Sequence, residues 1–320
     1  MGRRDGPGDD GYWGKRASGA AWSPALFRSA KLVLTAAVAA LAALAIAGVA
    51  QAAPALWRVT SPTATLYLFG TMHALEPDAQ WRTPAFDAVY AGAQTLWFET
   101  DVSSVSDASV IQGLILRYGV DAGHPLSTKL DAEHLAALKA VLAHDGVSFA
   151  GIDPMRPWAA ALVVMAAPMK AAGFDPKAGA DVALTASATA DKKQVRTFET
   201  LDQQMMFFAD LPQAVEVQLL EDAVEDDAKT GDELRAMEKA WLAGDVQKLG
   251  PLLIGDLKQH YPELYDVLIR RRNQAWSQTL GQELAGYGAE LVNVGALHLL
   301  GPDGLPALLK ARGFKVERVQ

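Results

Sequence analysis

The 320-residue sequence contains no cysteine. Disulfide bonds, cysteine-based zinc sites and cysteine nucleophiles are therefore excluded, and the folded protein must rely on its hydrophobic core. Any metal ion would have to be bound by histidine, aspartate, glutamate or main-chain oxygen. The composition is otherwise ordinary for a globular protein, with 50% hydrophobic and 21% charged residues.

Two common enzyme motifs are also missing. The sequence has no G-x-S-x-G segment, which argues against a serine hydrolase of the α/β type. It has no H-E-x-x-H segment either, so an ordinary zincin is excluded. The glycines at 301 and 304 follow a histidine turn without the spacing of a dinucleotide-binding loop, and we predict no nucleotide site.

An excess of positive charge is lacking as well. Without residues 1–52, the chain carries 23 basic and 34 acidic residues, a net charge of −11. A nucleic-acid partner requires a basic surface, so we expect none.

The N-terminus has the pattern of a secretory signal. Four basic residues lie between positions 15 and 31, an uncharged apolar run fills residues 32–50, and an A-x-A sequence follows at residues 50–52. This order predicts a signal peptide over residues 1–52, with a disordered polar start, and a periplasmic or secreted protein. The alternative is an uncleaved inner-membrane anchor formed by residues 32–50, because an apolar run of this length can span a bilayer. That anchor would be the only membrane contact.

The remaining residues, 53–320, alternate between strand-like and helix-like patterns. The helical pattern is continuous over about residues 202–281. We predict a single α/β domain, in which a central mixed β-sheet is flanked by helices and interrupted by a large all-helical insert. The predicted strands cover residues 57–60, 65–69, 95–98, 194–198, 290–294 and 315–319.

Two histidines and two glutamates follow these predicted strands. Gly-x-x-His occurs twice directly after a strand, ending at His73 and at His298, and two other strands end in Phe-Glu-Thr at Glu99 and Glu199. Because α/β folds build their sites at the carboxyl ends of strands, we expect the four side chains to converge there.

Imidazole and carboxylate groups suit a divalent cation such as zinc, manganese or cobalt. In this interpretation His73 and His298 bind the metal with one glutamate, while the other glutamate activates a bound water. Which of Glu99 and Glu199 is ligand and which is base stays open. In the alternative interpretation, both histidines cap loops by hydrogen bonds and both glutamates pair with arginines.

Other polar residues are weaker candidates. An arginine near carboxylates can bind a charged intermediate or form a structural ion pair. We expect the histidines at positions 124, 134 and 144 to lie on the surface and the one at position 260 to lie at a helix end. Trp81, Trp158 and Trp276 could line a cleft, although core packing is the default role for tryptophan. The second set of polar candidates comprises Arg156, Asp181, Gln203, Arg272 and Asn273.

Together these motifs resemble the TraB/PrgY/GumN family, which includes the TIKI metalloproteases, and the GumN-like bacterial branch most of all. The resemblance covers about residues 57–320, and its motifs occur in the same order. They are Leu68-Phe69-Gly70-Thr71-Met72-His73, Trp97-Phe98-Glu99-Thr100-Asp101, Arg156-Pro157-Trp158, Gly179-Ala180-Asp181, Phe198-Glu199-Thr200-Leu201-Asp202-Gln203-Gln204, Arg272-Asn273-Gln274-Ala275-Trp276 and Val294-Gly295-Ala296-Leu297-His298.

The resemblance implies a fold like that of erythromycin-esterase and ChaN-type proteins, and a divalent-metal peptidase site. By matching motif, His73, Glu99, Glu199 and His298 become site residues, with Asp181 as a further metal ligand and Arg272 beside the reaction. The helical middle matches only loosely, so the substrate does not transfer beyond a peptide or another small molecule. We therefore expect an exported metal-dependent hydrolase. The alternatives are a protein that sequesters such a ligand without turnover and a metal-independent His/Glu hydrolase.

Overall fold

The computed structural model describes residues 53–101 and 108–320. The predicted signal peptide, residues 1–52, lies outside the described residues. Within the described part of the chain, no helix combines the length and apolar character that crossing a membrane requires.

A six-stranded mixed sheet forms the centre of the fold, which confirms the predicted α/β class. Along the sheet the strands follow the order β4-β3-β5-β2-β1-β6. The four strands β4, β3, β5 and β2 are parallel, whereas β1 pairs antiparallel with both β2 and β6. The strands are β1 (Leu56–Thr60), β2 (Ala64–Thr71), β3 (Thr95–Phe98), β4 (Gln194–Thr197), β5 (Gly288–Gly295) and β6 (Lys315–Arg318).

The parallel register sets the position of the site. Thr71 at the end of β2 lies opposite Gly295 at the end of β5, and Phe98 at the end of β3 lies opposite Thr197 at the end of β4. The residues that follow all four strands therefore leave the sheet at one edge, as the sequence predicted.

Helices connect the strands, and the described residues between β3 and β4 and between β4 and β5 form no further strand. An isolated bridge pairs Val120 with Met155, and another pairs Leu75 with Asp175. Short 3₁₀ segments at Pro176–Ala178 and Ala296–Leu299 and π-helical segments at Pro251–Gly255 and Asp266–Arg270 complete the elements. The helices are α1 (Pro84–Gly92), α2 (Ala108–Tyr118), α3 (Leu126–Lys129), α4 (Ala132–His144), α5 (Phe149–Ile152), α6 (Pro157–Ala171), α7 (Ala180–Ala190), α8 (Leu201–Ala209), α9 (Gln213–Glu225), α10 (Asp227–Leu242), α11 (Val246–Gly250), α12 (Asp256–His260), α13 (Pro262–Tyr265), α14 (Arg271–Glu283) and α15 (Leu305–Ala311).

Each face of the sheet has its own core. One face packs Phe69 against Phe86 of α1 and Trp241 of α10, with the Trp241 indole donating to the carbonyl of Gly70 at 2.7 Å. The other face packs Trp97 and neighbouring aliphatic side chains against Trp276 and other residues of α14. Burial of apolar area on both faces explains why β3 and the carboxyl-terminal halves of β2 and β5 are almost continuously buried. The edge strand β4 is polar and mostly exposed.

A third core lies among the helices and includes no strand residue. Leu138 and Leu142 of α4 pack with Val164 of α6 and Leu220 of α9. The periodic leucines of α4 thus cover neighbouring helices, and Asp131 caps the helix by accepting from the backbone of His134, as predicted.

Candidate functional site

The backbone ladder between β3 and β4 continues past the strands and places two glutamates side by side. The N–H of Phe198 donates to the carbonyl of Phe98 at 3.1 Å, and the N–H of Glu199 donates to the carbonyl of Glu99 at 2.9 Å. Thr200 then begins α8 with a capping box that it shares with Gln203. The sheet and the helix cap together fix the direction in which both carboxylates leave the backbone.

Arg272 of α14 lies between these two carboxylates. Its Nη2 donates to Oε2 of Glu99 at 2.6 Å and to Oε2 of Glu199 at 2.9 Å, while its Nε lies 3.0 Å from Oε1 of Glu199. The guanidinium also lies 4.6 Å from the ring centre of Trp276, whose indole donates to Glu199 at 3.1 Å. One buried cation therefore compensates two buried anions, and removing it would leave both uncompensated.

His298 is enclosed by hydrogen bonds on both ring nitrogens. Nδ1 lies 2.7 Å from Oδ1 of Asn273, and Nε2 lies 3.2 Å from Nη1 of Arg272. The Asn273 amide donates to the carbonyls of His298 and Asp303, so its oxygen faces the ring. Nδ1 therefore carries the proton and Nε2 accepts from the guanidinium. Burial, with a smaller contribution from the charge of Arg272, lowers the pKa of His298 to about 3 against the opposing effect of Glu99.

His73 has the opposite environment. Its side chain is 64% exposed, and its Nδ1 lies 3.3 Å from Oδ2 of Asp181. The other ring nitrogen approaches Glu99 across Gly295, where a Cβ would meet Nε2 of His73 at 3.1 Å and Oε1 of Glu99 at 3.2 Å. Desolvation lowers the pKa of His73, but Asp181 and then Glu99 outweigh it and raise the pKa to about 9. The ring is therefore a cation at neutral pH.

Glu99 links the two histidines. Its Oε1 accepts from the N–H of Gly295 at 2.7 Å and lies 3.5 Å from Nε2 of His298. Burial raises the pKa of Glu99, but His298, Arg272, His73 and the Gly295 N–H outweigh burial and hold the pKa well below its usual value. Glu99 is thus an anion throughout the neutral range.

A cavity of about 230 Å³ opens beside His73, Glu99 and Asp181. Four polar atoms that line it are buried and have no hydrogen-bond partner. Buried polar atoms in native proteins are almost always paired, so a cluster of unpaired ones marks a place where water or a ligand supplies the bonds. The four atoms are Oγ1 of Thr71, Oγ1 of Thr100, Oδ1 of Asp181 and Oδ1 of Asn293.

A larger apolar groove of about 700 Å³ adjoins this polar cavity. Pro176 and Val182 line both, so the two spaces share a wall. Ile111 and Ile115 of α2 and Met155 contribute apolar surface to the groove. The polar cavity and the apolar groove therefore lie next to each other.

The structure brings together all six site residues predicted from the sequence, but in unequal roles. His73, Asp181 and Glu99 line the cavity, whereas Glu199, Arg272 and His298 form a hydrogen-bonded group behind it. The sequence-based alternative, in which a histidine caps a loop and glutamates pair with an arginine, therefore describes this second group. Trp276 packs over His298 at 4.5 Å between ring centres, next to the site.

Two of the weaker candidates, Arg156 and Gln203, form structural contacts outside the cavity. Arg156 pairs with Glu216 and donates to the carbonyl of Ala209, while Gln203 completes the cap of α8. Sequence analysis missed Thr71, Thr100, Gln204 and Asn293, all of which line the cavity. Asn293 had a usable signal, since it is an amide inside the apolar run of β5.

The predicted metal site does not fit this arrangement. Two nitrogen ligands at about 2.1 Å from one ion lie at most about 4.2 Å apart. No three of His73, Glu99, Asp181, Glu199 and His298 bring ligand atoms within 4.8 Å of one another in the described chain. Arg272 already occupies the one free lone pair of His298. The manganese, cobalt or zinc ion stays a prediction.

Comparison with known proteins places the chain in a family. The family model for the TraB/PrgY/gumN family matches residues 55–318. The Escherichia coli (strain K12) protein named "Uncharacterized protein YbaP" is 27% identical over 244 residues, covering 76% of this chain and 87% of the relative. The protein of the same name from Shigella flexneri gives the same figures. No solved structure matches the chain significantly.

Proposed function

The chain is a member of the TraB/PrgY/gumN family, and on that premise we propose that it is a hydrolase whose proton transfers are carried out by His73 and Glu99. One observation carries the proposal. Four unpaired buried polar atoms line a cavity that is also lined by His73, by Asp181, which holds the His73 ring, and by a second carboxylate, Glu99. A histidine held by a carboxylate, beside a second acid–base group, is the usual composition of a hydrolytic site.

The unpaired atoms favour an amide as the bond that is cleaved. Asn293 donates its amide hydrogens to the carbonyls of Trp97 and Leu291, so its free Oδ1 can only accept. Oδ1 of Asp181 likewise accepts, while the hydroxyls of Thr71 and Thr100 can donate. A peptide group offers both an N–H for the acceptors and a carbonyl for the donors. The proposed substrate is therefore a peptide or a related small amide.

In the proposed reaction, water attacks the carbonyl carbon. Glu99 takes the proton of the water, and Nε2 of His73 gives its proton to the leaving nitrogen. Asp181 holds Nδ1 and keeps the ring in this orientation. As His73 loses its proton, a cation that lowers the pKa of Glu99 disappears, so Glu99 becomes a stronger base as the bond breaks. The proton then returns from Glu99 to His73, and the site is restored.

The adjoining groove supplies a substrate preference. Because its wall is shared with the cavity through Pro176 and Val182, we assign it to an apolar side chain or acyl group next to the cleaved bond. Its volume of about 700 Å³ exceeds that of the cavity threefold, so the apolar portion is the larger part of the bound molecule. Burying it supplies affinity at roughly 25 cal/mol per Å² of apolar surface.

Cleavage of a peptide library, with and without chelator, tests the proposal. We expect peptides with a large apolar residue next to the cleaved bond to be preferred, and chelator to have no effect. His73→Ala should lower kcat/KM by about 10²- to 10⁴-fold, the range for loss of an acid–base group. His124→Ala, which removes another exposed histidine paired with an aspartate, is the matched control.

Two outcomes would contradict this mechanism in different ways. Turnover that disappears with chelator and returns with a divalent ion would restore the metal-dependent hypothesis. Peptide binding by calorimetry without any cleavage would favour the sequestering protein. The apolar groove is needed for binding in either case, so Ile115→Asp should weaken binding whichever reaction class is correct.

We also propose that the mature protein acts outside the cytoplasm, in the periplasm or the medium. The support is the basic flank, the apolar residues 32–50 and the A-x-A sequence before residue 53. N-terminal sequencing of protein recovered from the periplasm should begin at Ala53. Recovery of the intact chain from the membrane fraction would favour the anchor instead.

A further inference from the structure

A second group of polar side chains, suited to binding a metal ion, is separate from the proposed catalytic residues. His144, Asp145 and Asp227 bring one ligand atom each within 4.8 Å of one another. Within the parts of the chain that the structure describes, no other trio of His, Asp and Glu does so. The sequence predicts a surface position for His144, and its side chain is 83% exposed.

The two aspartates have buried oxygens that nothing in the protein satisfies. Oδ2 of Asp145 and Oδ1 of Asp227 are buried and have no hydrogen-bond partner. The side chain of Asp145 is only 9% exposed, and its other oxygen lies 3.1 Å from Nδ1 of His144. One ligand atom of each aspartate lies within 4.8 Å of the other, and carboxylates this close with unpaired buried oxygens are unfavourable unless a cation lies between them.

The backbone holds the ligands in place without any metal. Helix α4 ends at His144, Gly146 adopts a φ of +72°, and the N–H of Val147 returns to the carbonyl of Leu142 at 2.8 Å. This reversal fixes Asp145 at the helix end, where the helix dipole favours a cation. Asp227 is the first residue of α10, and α9 directly before it packs against α4 through Leu220.

We propose that His144, Asp145 and Asp227 bind one divalent transition-metal ion that joins the end of α4 to the start of α10. One imidazole and two carboxylates form a ligand set that suits zinc, manganese or cobalt, and water can complete the coordination. The ion tightens the packing of the helical core and takes no part in the proposed hydrolysis. Metal content alone therefore cannot identify the chemistry of this protein, because a structural ion would be counted as a catalytic one.

Calorimetric titration of the purified, chelator-treated protein with zinc tests the site, with the thermal unfolding midpoint as a second readout. We expect one ion per chain and a higher midpoint in its presence, because an ion that binds only the folded state stabilises it. His144→Ala and Asp227→Asn should each weaken binding at least tenfold. The exposure of His144 means that its replacement does not disturb the fold.

Two control variants separate this site from its surroundings and from the cavity. Asp226→Asn changes the neighbouring aspartate, which pairs with Lys229, and should leave zinc affinity unchanged. His73→Ala should also leave it unchanged. Absence of zinc binding, or binding that survives both His144→Ala and Asp227→Asn, would overturn the proposal. Zinc binding lost only in His73→Ala would overturn it too and would support a metal in the cavity.

Discussion

His73 and His298 occupy equivalent positions after neighbouring parallel strands, yet one faces a cavity and the other is locked in place. His298 has both nitrogens hydrogen-bonded beneath α14 and stays neutral. His73 is mostly exposed and is positively charged beside unpaired acceptors. The same four-residue motif thus supplies a structural anchor in one case and a candidate acid–base group in the other.

What covers each turn explains the difference. The turn after β5 lies under α14, which contributes Asn273, Arg272 and Trp276 to the surroundings of His298. The turn after β2 instead runs toward the start of α7, where the N–H of Ala180 donates to the carbonyl of Met72 at 3.0 Å. The end of the strand fixes where the histidine lies, whereas the helix packed over it decides whether the side chain can reach a cavity.

The largest expected effect on stability concerns Arg272, which holds the buried group around His298. Arg272→Ala leaves Glu99 and Glu199 buried without a cation, which should lower the free energy of unfolding by about 3–5 kcal/mol. Arg271→Ala, one position earlier and paired with Asp266 at the surface, is the control and should cost less than about 1 kcal/mol. Denaturant midpoints measure both variants. If Arg272→Ala proves too unstable to isolate, adding Glu99→Gln and Glu199→Gln should recover folded protein, and equal midpoints for both arginine variants would refute the assignment.

An intermediate effect should appear in the pH dependence of stability. The folded pKa of His298, about 3, lies below its usual value of 6.5, so its contribution is present above pH 6.5 and is lost as the pH falls toward 3. The folded pKa of His73, about 9, lies above 6.5, so its contribution is present below pH 6.5 and is lost as the pH rises through 9. His298→Asn should flatten the acid side of the profile and His73→Asn the alkaline side. An alkaline side unchanged by His73→Asn would contradict the comparison.

The smallest effect on stability is expected at Thr71, which lines the cavity. The hydroxyl of Thr71 has no partner, so Thr71→Val should change the free energy of unfolding by less than about 0.5 kcal/mol or raise it. Thr95→Val is matched, because the Thr95 hydroxyl donates to Gln194 at 3.2 Å, and it should cost about 1 kcal/mol. Substrate cleavage should respond in the opposite order, with Thr71→Val the more damaging. A stability loss in Thr71→Val as large as in Thr95→Val would show that the hydroxyl is not free.

Sequence patterns located Glu99, Glu199 and both histidines because a parallel sheet brings the ends of its strands to one edge. They could not separate His73 from His298, since that distinction depends on Asn273 and Arg272, which reach the site only when α14 packs. They placed Asp181 and Arg272 near the site only through the family resemblance. The unpaired atoms of Thr71 and Thr100 were invisible, because the loss of a partner is a property of packing.

The position of β5 has a consequence for the newly made chain. This strand lies between β2 and β3, yet it is formed by residues 288–295, near the C-terminal end of the sequence. Until those residues are synthesised, the half of the sheet that carries His73 and the half that carries Glu99 have no strand to join them. Non-local pairing of this kind forms late. The cavity is therefore absent from any chain that stops before β5, and whatever chemistry it performs requires residues 288–295.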